Sequence, residues 1–173
     1  MTNRVAGLKG YMMMTTRKRK WINYFLTGVA AVLWSGTTAA GSVTYPVIIQ
    51  TPEGRQSTYQ LELAVTPAAR KQGLMNRQHL TEGEGMLFVW PKEDNRFFWM
   101  KDTSLSLDIL FFSHEKLLVA SHKNTEPFSV ERLPSGKPAQ YVVELKAGQA
   151  QLQGLKLGSL LVLPIALMHA LGR

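Results

Sequence analysis

The chain has 173 residues, no cysteine and a formal charge of +8, from 20 Lys and Arg against 12 Asp and Glu. That length supports one domain, and without cysteine there are neither disulfide staples nor a lipoprotein anchor. The charge argues for a nucleic-acid partner only until its location is seen: six basic residues fall in the first 40 positions, and the rest holds 14 bases against 12 acids with no basic run, whereas phosphate binding needs clustered cations.

Residues 1–40 read as a signal peptide. Thirteen residues precede Met14 as an extension. Arg17 to Lys20 form a positive n-region, Trp21 to Trp34 an apolar h-region, and Thr37 to Ala40 a small-residue cleavage site near Ala40. A membrane anchor would need about 20 apolar residues; this run is shorter and is interrupted by Asn23. The expectation is a periplasmic or secreted protein that meets the membrane only transiently.

Residues 41–164 read as a β-rich domain and residues 165–173 as a C-terminal tail. Tyr45 to Gln50 and Thr58 to Thr66 are β-prone, and Pro52, Glu53 and Gly54 between them predict a hairpin turn. Tyr59, Leu61, Leu63 and Val65 alternate with smaller or polar residues, which gives one buried face. Thr66 and Pro67 predict a helix start, with the helix over 67–72 and Gly73 at its end.

Gly85 to Trp90 predicts a buried strand stopped by Pro91, followed by a charged turn over 92–96 and a further strand over 97–101. Leu107 to Ser113 is apolar on both faces apart from Asp108, so it belongs in a sheet covered on both sides. Leu117 to Ser121 is the next strand. Residues 123–138, rich in proline, predict a long surface loop. Strands over 141–145 and 160–163 and a helical turn over 147–153 complete the domain. The expected fold is mainly β: a single compact sandwich or small barrel of about eight short strands with one or two short helices. No βαβ rhythm is visible.

Four motifs occur in order: Gly73 to Arg77 (GLMNR), Gly85 to Val89 (GMLFV), Phe98 to Thr103 (FWMKDT) and Leu107 to Phe111 (LDILF). The series resembles domain of unknown function 192 (DUF192), over about residues 45–163. The resemblance implies a compact, mainly β domain and no known reaction. The chain departs from the family pattern at Asp102, where Asn is common, at Ser106, where Pro is common, and at Ser159, where Gly158 is commonly followed by Asp.

The candidate ligand-binding residues are Arg77, Trp99, Lys101, Thr103, Asp108 and Glu144. Asp108 interrupts an apolar run, and a buried carboxylate needs partners; Arg77 or Lys101 would supply them. Trp99 and Lys101 share a strand face, a pairing suited to a sugar or peptide. Thr103 would hold a turn or a ligand. Arg77 would pair with Asp108, Glu144 or an anion. Glu144 is either a second carboxylate beside Asp108 or a solvent-facing strand acid.

His79, His114, His122 and His169 form no ligand spacing, and no nucleophile elbow, phosphate loop or dinucleotide fingerprint appears. No metal and no cofactor is expected. The function these features favour is non-catalytic binding of a small polar ligand, a glycan or an envelope protein. The alternative is an envelope hydrolase using Asp108 with Glu144 or Lys101.

Overall fold

The computed structural model describes residues 43–171, apart from the side chain of Ala170. The expected signal peptide lies outside the described residues. Seven strands form one sheet: β1 (Thr44–Gln50), β2 (Gln56–Ala64), β3 (Glu84–Phe98), β4 (Leu107–Phe112), β5 (Leu118–His122), β6 (Leu133–Lys146) and β7 (Leu160–Val162). Three short helices accompany them: α1 (Pro67–Gln72), α2 (Gln149–Leu152) and α3 (Ile165–Ala170). The mainly-β expectation holds, with seven strands in place of about eight and three helices in place of one or two.

The spatial order is β5-β4-β6-β3-β2-β1-β7. The sheet curls until its ends approach. Leu117, just before β5, bridges Leu160 of β7. The Leu118 amide donates to Ser159 O at 2.8 Å and the Leu161 amide to Lys116 O at 2.8 Å, which makes a short seam. The result is an incomplete barrel.

The β1–β2 hairpin turns where its sequence indicates. The Thr51 amide donates to Arg55 O, and Gly54 adopts the left-handed φ of 90° that the turn demands. β2 and β3 instead pair in parallel. A parallel pair cannot be joined by a tight turn, so the chain crosses over through α1. This is a βαβ unit that the sequence rhythm did not reveal. α1 keeps its expected bounds, and Thr66 Oγ1 accepts from the Ala69 amide at 3.1 Å as an N-cap.

Two expected breaks are absent. Pro91 does not end β3, because the β3–β6 register shifts between Val89 and Asp94, so no ladder bond is needed there. The Gln140 side chain instead donates from Nε2 to Trp90 O and Pro91 O, each at 3.0 Å. The charged turn over 92–96 is therefore strand. The loop over 123–138 also gives way, since β6 starts at Leu133 and pairs Leu133 with Phe98.

Each face of the sheet has its own core. The enclosed inner core draws on all seven strands and includes Val47, Leu61, Val89, Phe112, Leu118, Val143 and Leu161. The outer core, which includes Phe88, Met100, Ile109, Phe111 and Val142, lies beneath the crossover and the 99–106 segment. β4 is buried at every position, as a strand between two cores must be. Leu167 of α3 is fully buried, so this part of the tail docks on the barrel.

A cleft on the outer face and its buried acid

Strand alternation separates Asp108 from Glu144. β4 and β6 pair Asp108 with Leu145 and Ile109 with Glu144. Asp108 therefore points into the barrel and Glu144 into the outer core. The two acids are close in register yet on opposite faces, and do not form an acid–base pair.

Inside the barrel, Asp108 is fully buried. Oδ1 accepts from the Asn124 amide at 2.9 Å, and Oδ2 from the Ala150 amide at 2.7 Å. The second bond satisfies an orphan amide at the start of α2, whose N-cap Gly148 has no side chain to offer. Asp108 is thus a remote helix cap and a clasp on the 123–125 segment. Its partners are backbone amides, not the expected Arg77 or Lys101.

Arg77 makes a two-point ion pair with Glu62, at 2.6 Å for Nη1 and 2.8 Å for Nη2. Glu62 lies on the outer face, two strands from Glu144 and separated from it by Met86. The pair anchors the segment after α1 to β2. Serine at 104 adds to it, donating from Oγ to Arg77 O at 3.3 Å.

Three of the four motifs, those at 73–77, 85–89 and 98–103, contribute residues to one cleft. The Asn76 amide donates to Asp102 O at 2.8 Å, drawing the first motif against the third. Asn76 and Asp102 both have positive φ, 62° and 54°. Asn and Asp tolerate that conformation better than other side chains, so the Asp at 102 keeps the geometry open to Asn. The other departures also have local roles. Ser106 Oγ donates to Thr125 O at 2.7 Å, and Ser159 Oγ accepts from the Lys156 amide at 3.1 Å.

The cleft holds about 200 Å³. One wall is α1 and its exit, Arg70 to Met75; the other is Phe97 to Trp99 and Thr103; Phe88, Trp90 and Glu144 also line it. The rings brace one another: Trp90 stacks on Phe88 at 6.2 Å, and Phe98 stands edge-on to Phe88 at 5.0 Å. Arg70 and Arg96 place their guanidiniums 5.3 and 4.6 Å from the Trp90 ring centre, and Arg70 also donates to Val65 O and Val89 O. Trp99 is half exposed, with the Lys101 ammonium 5.9 Å from its ring. Thr103 is buried, and its hydroxyl donates to Lys101 O at 3.1 Å.

Glu144 is the one acid among the residues lining the cleft. It is 5% exposed, and Oε2 has no hydrogen-bond partner. Burial pushes its carboxyl up to about 8, because desolvation disfavours the charged form. Burial thus favours the neutral form of this acid at neutral pH. Two glycines make room for it. A Cβ on Gly73 would sit 3.3 Å from the Phe88 ring and 3.7 Å from Oε2, and a Cβ on Gly85 would lie 2.2 Å from Glu144 O. The solvent-facing expectation for Glu144 is therefore corrected.

Known proteins share this fold. The family model for DUF192, described as an uncharacterised ACR, matches residues 48–163. The chain belongs to DUF192. A crystal structure of a candidate transcription regulator from Sinorhizobium meliloti 1021 is 36% identical, with a TM-score of 0.67, covering 69% of this chain and 93% of that one. A protein of unknown function from Novosphingobium aromaticivorans DSM 12444 is 31% identical, with a TM-score of 0.67, covering 72% and 88%. No curated protein matches.

Of the six expected residues, Trp99, Thr103 and Glu144 line this cleft. Lys101 stands beside it over Trp99, while Arg77 and Asp108 hold the scaffold. Arg70, Gly73, Phe88, Trp90 and Phe98 were missed. The available signal was Gly73 itself, a helix-ending glycine inside a motif whose φ of 48° and ψ of −135° suit few other residues. Among the described residues, no cluster of three His, Cys, Asp or Glu side chains is placed to hold a metal ion, and no helix is long and apolar enough to cross a membrane.

Proposed function

We propose that this protein is an exported, non-catalytic binding domain whose outer cleft receives one ring of a glycan or a similarly small polar ligand. The observation that carries the reading is Glu144 Oε2, buried and without a partner at an aromatic-walled cleft. A buried polar atom left unpaired costs about 1–3 kcal/mol, so a ligand that completes its hydrogen bond recovers that energy on binding. Aromatic walls suit the apolar faces of a sugar ring, and the Thr103 and Glu144 oxygens suit its hydroxyls. The volume of about 200 Å³ is below the roughly 300–1,000 Å³ of drug-sized sites, which limits the occupant to about one ring. Export rests on the tripartite leader at residues 1–40.

The test is an NMR titration of the purified protein with single pyranoses. Shifts confined to Gly73, Trp90, Trp99 and Thr103 are expected. Sugars that leave those signals unmoved, or that shift a different surface, would overturn the reading. For export, the protein recovered from a cell-envelope fraction should begin near Gly41; an intact N-terminus in the cytoplasm would refute it.

A further inference from the structure

The charge pattern around the cleft narrows the ligand class. Arg70 and Lys71, in the last turn of α1, both line the cleft, in which Glu144 is the one acid. Lys71 is exposed and makes no ion pair among the described residues. Arg70 spends hydrogen bonds on Val65 O and Val89 O yet keeps its charge, because a guanidinium does not deprotonate in proteins. While Glu144 is neutral, the lining therefore carries two positive charges and no negative one.

The other charged groups nearby do not reverse that sign. Glu62 on β2 shares the outer face, but its two oxygens are taken by Arg77. Arg96 on β3 adds a further cation over Trp90. Lys101 stands over Trp99, and Asp102 beside it is exposed to solvent. β4 presents only Ile109 opposite Glu144.

We infer that the cleft selects an acidic ring, a hexuronate or a comparable ring carboxylate, whose carboxylate accepts a hydrogen bond from the Glu144 carboxyl while Arg70 and Lys71 balance its charge. The inference rests on the binding role proposed above and names its ligand. A neutral ring would leave both cations unused. A cationic ring would meet them directly and would need Glu144 ionised. An acidic ring uses all three groups, and a carboxylic acid facing a carboxylate makes a short, charge-assisted hydrogen bond. Ionising Glu144 removes the donor and adds a like charge, so affinity should fall once pH passes the value of about 8 that burial gives this acid.

The experiment compares galacturonate, galactose and galactosamine by calorimetry at pH 6 and pH 9.5, with circular dichroism checking the fold at both. Galacturonate is expected to bind at least tenfold tighter than galactose at pH 6 and to weaken at least tenfold by pH 9.5. Glu144→Gln, which keeps a donor but cannot ionise, should bind galacturonate with a flat pH profile. A purely structural Glu144 would not produce that contrast. Equal binding of galactose and galacturonate at both pH values, or tighter galactosamine binding at pH 9.5, would overturn the acidic-ring assignment and leave the binding role standing. Failure of all three sugars to bind would remove both.

Discussion

Two buried acids on neighbouring strands, Asp108 on β4 and Glu144 on β6, meet opposite fates. Asp108 faces the barrel interior, where two backbone amides occupy its two oxygens. Glu144 faces the outer core, where Oε2 has no partner and burial keeps the group neutral. Burial is nearly equal, so depth does not tell the two roles apart. The supply of donors does: the interior acid is surrounded by loop and helix-start amides that need an acceptor, whereas the outer acid is surrounded by rings. A satisfied buried acid organises the chain, and an unsatisfied one at a cleft is available to a ligand.

The largest expected effect breaks the interior half of this contrast. Asp108→Ala orphans two amides, one at the start of α2, and should destabilise the fold by about 4 kcal/mol; chemical denaturation measures it. Asp108→Asn should also destabilise, because its NH2 would face an amide donor. A normally stable Asp108→Asn protein would contradict the clasp.

Glu144→Gln sharpens the other half. The folded-state value of about 8 lies above the ordinary 4.5, so between those values the unfolded chain is ionised while the folded chain stays neutral. Stability of the unaltered protein should then fall as pH rises from 4.5 to 8, with a slope approaching about 1.4 kcal/mol per pH unit. Above pH 8 the folded form ionises too and the slope fades. The Gln variant should match the parent near pH 4 and exceed it by on the order of 2–4 kcal/mol at pH 8. Parallel stability curves from thermal melts would refute the neutral acid.

Smaller effects act on the surroundings of Glu144. Gly73→Ala forces a Cβ into a φ of 48° against the Phe88 ring, costing about 1–2 kcal/mol and weakening pyranose binding in the titration. Arg77→Ala releases Glu62 and should cost about 1 kcal/mol. It also gives the outer face a second free acid, so galacturonate binding should weaken without a change of fold.

The sequence made the strand positions legible where periodicity or turn chemistry was strong. The β1–β2 turn, the Thr66 cap and β4 between two cores all follow from local residues. The parallel β2–β3 pair did not, because one six-residue helix in a 19-residue connection leaves little periodic trace. Pro91 misled because a register shift, a tertiary feature, excuses it from the ladder. For the site, Glu144 carries a local signal: Tyr141 to Leu145 is apolar on both faces apart from that acid, as in β4 around Asp108. Which of the two acids would find donors depended on α2 and the 123–125 segment folding onto one face, which no spacing in the sequence records.

The short seam at Leu117 and Leu160 has a bearing on how partners can approach. An open sheet can recruit an incoming peptide as an extra strand, using backbone groups that ignore sequence. At the seam itself the three-residue β7 and the start of β5 already bond to one another, which leaves too little free edge there for such strand addition. A partner that approaches the seam therefore meets side chains there, not a free strand edge.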